Sequence, residues 1–224
     1  MDKKREFLRQ RFFQQINRVR MENLRSRISP HFTFNVLGRE INQFNGSEEV
    51  KHNLMELVKY LRRSLELTEK LSVSLQDELD FVRTYIELER GRVGEDFVAT
   101  ITVEDGLDAT RIMIPSMIVQ IPVENAIKHG LAGKDGKKEL MVYVSRETNG
   151  IRITVTDNGR GYLPQVVSAT RGTGTGLKVL YQTIQLLNTK NKSDKIRFNI
   201  TNRSDGQTGT EVSVYIPFRF SYDL

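Results

Sequence analysis

The segment Ser29-Pro30-His31-Phe32-Thr33-Phe34-Asn35 sets a histidine four residues before an amide, so that on a helix His31 and Asn35 share one face. Pro30 interrupts a strongly periodic helical pattern, at a cost of about 3 kcal/mol unless something compensates for the kink or uses it. An imidazole near its ordinary pKa is largely neutral and nucleophilic at physiological pH. Accepting a phosphoryl group is therefore within its chemistry, beside the plainer alternative of a packed or surface histidine.

Further segments invite chemistry with phosphates. Pro122 to Gly130 carries Asn125 and Lys128 three residues apart. The amide oxygen can hold Mg²⁺ and the ammonium can meet a phosphate, or the pair simply decorates a helix surface. Asp157-Asn158-Gly159-Arg160-Gly161 ends a strand pattern with a carboxylate and glycines that leave room for a ligand. Such a carboxylate can accept from the exocyclic amine of adenine, although Asp-Asn-Gly is also ordinary turn chemistry. Gly172-Thr173-Gly174-Thr175-Gly176-Leu177 precedes the helical pattern Lys178 to Leu187, so its free amides and the positive helix end suit a polyphosphate. It is not a Walker A loop, because no Gly-Lys-Ser/Thr follows at the required spacing, nor is it placed as a dinucleotide fingerprint. Gly209-Thr210 opens the last strand, where Thr210 can reach a base pocket, but a lone Gly-Thr is uninformative.

These residues need elements to hold them. Ile16, Val19, Leu24, Ile28, Phe32, Leu37, Ile41 and Phe44 recur at helical spacing and predict a long amphipathic helix to about residue 44, ended by Asn45-Gly46-Ser47. A second pattern runs through Leu54, Leu57, Val58, Leu61 and Leu65, falters at Lys70 to Val73, and resumes through Leu75, Leu79, Val82 and Ile86 behind a capping box at Ser74 and Asp77. One such hairpin cannot bury both apolar stripes, so two copies are expected to pair into a four-helix bundle. Beyond residue 93 the pattern predicts a strand over 97–104 and a helix opened by Pro115 and running to His129-Gly130. Strands over 140–145 and 151–156 flank Asn149-Gly150, a helix follows over 175–189, and strands over 196–201 and 211–216 close the chain. The result is an α/β sandwich with a mixed sheet. The expected domains are 1–92 and 93–224, with the boundary near Gly91 to Gly94.

Composition narrows the chemistry. Among 224 residues there is no cysteine and there are three histidines, which excludes disulfides and thiolate nucleophiles and disfavours an all-protein zinc cage. A metal is expected to arrive with a phosphate ligand. The net charge of +6 is crowded into the opening segment, among Lys3, Lys4, Arg5, Arg9, Arg11, Arg18, Arg20, Arg25 and Arg27. That segment suits a solvated helix face or a position near anionic lipid, and no base-reading motif accompanies it. The most apolar stretch, Ile112 to Val123, is broken by Pro115, Ser116, Gln120 and Pro122 and is too short to span a bilayer.

Asn125, Asp157-x-Gly-x-Gly, Gly-x-Gly-x-Gly and Gly-Thr, in this order, closely resemble the N, G1 and G2 boxes and closing threonine of GHKL-type ATP-binding domains. Together with Ser-Pro-His-Phe-Thr-Phe-Asn and the run Val73-Ser-Leu-Gln-Asp-Glu-Leu-Asp-Phe-Val-Arg-Thr-Tyr-Ile-Glu-Leu-Glu-Arg, the sequence resembles LytS/YehU-type sensor histidine kinases over roughly residues 20 to 218. The resemblance implies ATP and Mg²⁺ as cofactors, with His31 as phosphoacceptor, Asn125 as Mg²⁺ ligand and Lys128 as phosphate contact. It makes Asp157 the adenine reader, starts an ATP lid at Gly159 and Gly161, closes it with Gly172, Gly174 and Gly176, and has Thr210 support the base.

The helical stripes predict a homodimer, and the absent base-reading motif leaves the chain with no direct binding to nucleic acid; the same resemblance implies that it passes its phosphoryl group to a response regulator of the LytTR type. It also implies the cytoplasmic domain of an inner-membrane protein, anchored through N-terminal segments absent from this chain. Thr33 stands where the family usually shows leucine, and Ile121 separates Gln120 from Pro122 where the family has Gln-Pro. Phe32 follows the histidine where many other histidine kinases carry an acidic residue as general base, so the group that takes the proton from His31 is left open, with Glu124 as one candidate. A GHKL ATPase and a nucleotide-binding scaffold that transfers nothing are the rival readings. Ile121 argues against the first, since such ATPases commonly place a glutamate there, and an intact His31 beside intact glycine boxes argues against the second.

Overall fold

The capping box at Ser74 forms as expected: its Oγ accepts from the Asp77 amide at 3.0 Å and donates to Asp77 Oδ2 at 2.8 Å. This is seen in a computed structural model that describes residues 47–162, 175–189, 191 and 193–222. Two compact units result, Met1–Leu71 and Ser72–Leu224. In the first, Ser47 caps helix α1 (Glu48–Glu69) by accepting from Val50 N. The i,i+3 pairs Glu56–Lys59 and Arg63–Glu66 line the outside of α1, while Val58 is buried and Leu57 exposed. The helix expected before residue 45 lies outside the described residues.

The place where the helical pattern falters becomes a strand. In the second unit β1 (Ser72–Ser74) leads into α2 (Leu75–Val93), and β1 pairs antiparallel with β3 (Met113–Pro115) in the register Val73↔Ile114. The first amides of α2 are satisfied by that neighbourhood, Leu75 N donating to Ile112 O at 2.8 Å and Gln76 N to Ala109 O at 3.0 Å. Helix α2 thus folds with the sheet unit, so the compact units divide ahead of the boundary drawn at Gly91 to Gly94.

The main sheet comprises β2 (Phe97–Val103), β4 (Lys138–Glu147), β5 (Gly150–Asp157), β6 (Arg197–Asn202) and β7 (Thr210–Pro217), ordered β2-β4-β5-β7-β6. Only β2 and β4 run parallel, which makes the sheet mixed as expected. Alternation sorts its faces: Leu140, Val142 and Val144 are buried while Met141 and Tyr143 are exposed. Leu79, Val82 and Ile86 of α2 and Leu180, Ile184 and Leu187 of α4 (Thr175–Asn188) are buried as well.

One expectation is corrected. Pro115 does not open a helix but ends β3, and α3 (Gln120–Asn125) starts only five residues later before widening into a π turn over Ala126–Gly130. Pairing with β1 claims Met113–Pro115 as strand, and Met117 then turns the chain with a left-handed φ of 69°. Pro122 falls in the first turn of α3, where its missing N–H leaves no intrahelical bond unmade, so Ile121 between Gln120 and Pro122 does not disturb the helix.

Candidate nucleotide-binding site

Asp157 is the last residue of β5, brought beside Leu140 of β4 and the start of β7 by the sheet register. It is a carboxylate with 4% exposure, and both of its backbone donors go to Oδ1: Gly159 N at 2.8 Å and Thr210 N at 3.4 Å. Burial raises its pKa above the ordinary value, against the downward pull of those bonds and of the Thr210 hydroxyl. Neither backbone bond uses Oδ2.

Backbone forms the walls of this corner. A Cβ on Gly130 would lie 2.8 Å from Asp157 Oδ1, and one on Gly209 would run into the Asp157 carbonyl oxygen. Glycine is required at both places, and Gly209 also holds a φ of 139°. Gly159 sits equally close to the Gly130 carbonyl. The loop after Asp157 is fastened on several sides. Asn158 Oδ1 accepts from Glu139 N at 2.8 Å, Arg160 Nε donates to His129 O at 2.9 Å, and Asn202 Oδ1 accepts from Tyr162 N at 2.6 Å, just past Gly161.

Asn125 ends α3. Its Nδ2 donates to Ile121 O at 2.6 Å, which leaves Oδ1 as the atom for a cation. Gly176, in the first turn of α4, lies against the same turn: its Cβ would meet Ile121 Cγ2 at 3.3 Å and Asn125 Nδ2 at 3.9 Å. The fold therefore joins Asp157, Gly159 and Thr210 in one corner and Asn125 and Gly176 in another, with the π turn leading from Asn125 to Gly130. Lys128, in that turn, forms an ion pair with Glu124, both side chains being about one-third exposed. His129 has a lowered pKa, first from burial and then from the charges of Lys128 and Arg160. His31, Asn35, Gly172 and Gly174 lie outside the described residues.

These donors fit a purine nucleotide carrying a divalent ion. The buried carboxylate with glycine walls suits a flat base with an amine, and no side chain on Gly130, Gly159 or Gly209 obstructs it. Among the described residues no group of three or more His, Asp or Glu could cage a metal, so an ion at Asn125 would take its other ligands from phosphate and water. Sequence reasoning missed Gly130, Asn158, Arg160 and Asn202. Gly130 was visible only as a helix end, and the other three act through partners 19 to 40 residues away.

Residues 19–97 match the family described as histidine kinase, and residues 110–219 match the histidine kinase-, DNA gyrase B- and HSP90-like ATPases. Sensor histidine kinase YpdA of Escherichia coli K12 is 28% identical over 90% of this chain and 34% of its own length. Sensor histidine kinase/phosphatase LytS of Staphylococcus aureus MRSA252 is 32% identical over 84% of the chain and 33% of its own length. The chain thus spans about a third of the length of the relatives it matches. Among solved structures, the histidine kinase domain of the Erythrobacter litoralis EL346 blue-light activated kinase overlaps 92% of this chain and 94% of its own, with 16% identity and a TM-score of 0.49. The chain thus carries a region of the histidine kinase family leading into an ATPase domain of the gyrase B and HSP90 type, and it is related to the sensor kinases LytS and YpdA.

Proposed function

We propose that this chain is an autokinase core that transfers the γ-phosphoryl group of ATP to an imidazole nitrogen of His31. The observation that carries the reading is Asp157, a buried carboxylate with glycine walls at the end of a central strand, both of whose backbone donors fall on one oxygen. In this reading Asp157 accepts from the adenine amine, and Thr210 holds the carboxylate in place. Gly159 and Gly161 begin the ATP lid, which Gly172, Gly174 and Gly176 close. Asn125 offers Oδ1 to Mg²⁺, which neutralises charge on the phosphates, and Lys128 exchanges Glu124 for a phosphate oxygen.

The imidazole nitrogen attacks phosphorus as the bond to the β,γ-bridging oxygen breaks. ADP departs with that electron pair, and the imidazole loses its N–H proton to a base, for which Glu124 is the candidate. Asn35, on the face of His31, orients the ring. Positioning and charge neutralisation supply most of the rate in such a transfer. The residues up to Leu71, helix α1 included, would form the dimerisation and acceptor domain, a four-helix bundle in the homodimer, and the unit from Ser72 onward the ATP-binding domain. The phosphoryl group then passes to an aspartate of a response regulator, of the LytTR type. Membrane attachment through segments preceding this sequence completes the proposal, and no described helix is long and apolar enough to cross a membrane.

Incubation with γ-labelled ATP tests this directly. Wild-type chain should carry an acid-labile, alkali-stable label, as a P–N bond requires. His31→Gln should carry none while keeping its nucleotide affinity and its dimer. Label persisting on His31→Gln would move the acceptor to His52 or His129, and an unlabelled wild type that binds ATP would favour the scaffold.

A further inference from the structure

Glu78 lies on α2, in none of the glycine boxes, and its exposure is 0%. It accepts from three backbone amides on the other side of β3: Met117 N at 3.0 Å on Oε2, and Val119 N at 3.0 Å and Gln120 N at 3.1 Å on Oε1. Helix α3 has no side-chain cap of its own, since the residue before it is Val119. Its first amides are instead satisfied by a carboxylate from about 40 residues earlier in the chain. The same bonds hold Met117 in its left-handed conformation, which a non-glycine residue adopts only when its surroundings impose it.

Asn125 stands one turn further along. Glu78 fixes the amide of Gln120, and the carbonyl of the next residue, Ile121, fixes Asn125 Nδ2 at 2.6 Å. Ile121 is also the side chain on which Gly176 rests. Asp157 is fixed otherwise, by the sheet register and by Gly159 and Thr210. We infer that Glu78 is a positioning residue for Asn125, setting the start of α3 so that the metal-binding half of the site is organised by α2 while the adenine half is organised by the sheet. The inference rests on the reading of Asn125 as the Mg²⁺ ligand.

The test separates the two halves in the full chain. ADP affinity is measured by calorimetry with Mg²⁺ and with EDTA, for wild type, Glu78→Gln and Asn125→Ala. Glu78→Gln places an amide donor against one of the three N–H groups, so the cap is broken while the side-chain shape is kept. Its affinity in EDTA should stay within about twofold of wild type, whereas the Mg²⁺-dependent gain should fall about tenfold and recover as Mg²⁺ is raised. Equal losses with and without Mg²⁺, or no loss at all, overturn the positioning role. Asn125→Ala should remove the gain. If the gain survives there, the metal reading of Asn125 falls and this inference with it.

Should Glu78→Gln fail to fold, amide hydrogen exchange on wild type decides. Coupling is reciprocal, so Mg²⁺-ADP must slow exchange at Met117, Val119 and Gln120 beyond the effect of ADP in EDTA. Unchanged exchange at those amides overturns the proposal.

Discussion

Among the described residues two carboxylates are buried in the sheet unit, Glu78 at 0% exposure and Asp157 at 4%, and they are used in opposite ways. Glu78 spreads its acceptors over both oxygens and takes three amides of its own chain. Asp157 takes its two amides on one oxygen, and burial holds its pKa up. A buried charge is tolerated when its lone pairs are filled, and one left partly unfilled destabilises the apo fold until a ligand completes it. The contrast separates a structural acid from a binding one without reference to any motif.

The largest expected effect would break the structural side. Glu78→Ala orphans three amides, each worth about 1–3 kcal/mol when buried without a partner, so unfolding free energy should drop by about 3 kcal/mol or more in urea titrations. Asp157→Asn, which keeps an oxygen for Gly159 and removes the buried charge, should change stability by less than about 1 kcal/mol or raise it. Equal losses for the two substitutions would erase the distinction.

The binding side is sharpened by the same aspartate variant. Asp157→Asn can present a donor to the adenine amine, and an unmatched buried polar pair costs about 1–3 kcal/mol, a five- to hundredfold loss of ATP affinity. Calorimetry returning wild-type affinity would show that Asp157 serves only the turn to Gly159.

Much of this contrast was legible in the sequence on one side only. Asp157 announces itself because its helpers are local or glycine: Asp-Asn-Gly-Arg-Gly in a row, then Gly-Thr at the next strand. The strands over 97–104, 140–145, 151–156, 196–201 and 211–216 also came within a few residues of their observed bounds, because alternation is a local property. Glu78 was hidden in an ordinary amphipathic helix, as its partners lie 39 to 42 residues away. For the same reason Pro115 misled. A three-residue strand paired with Ser72–Ser74 leaves no periodic trace, so a proline before apolar residues looked like a helix start.

The subtlest expected effect is a pH dependence that runs in two directions at once. Burial raises the Asp157 pKa above 3.8, so between that value and the raised one the folded apo chain holds a proton that the unfolded chain has lost. This group's contribution to stability therefore falls as pH rises through the window. Nucleotide binding needs the ionised carboxylate, so affinity should rise over the same window. Total stability will not show the first slope alone. Glu139 and Asp205, held low by hydrogen bonds from Lys137 and Arg203, lose their stabilising contribution as pH falls. The difference in Tm between wild type and Asp157→Asn cancels those groups and isolates the aspartate. That difference should shift in favour of wild type as the pH is lowered, while the ratio of their ADP affinities shifts against it. Two slopes of the same sign would mean that the Asp157 proton is not shared between folding and binding, and the contrast with Glu78 would rest on hydrogen-bond geometry alone.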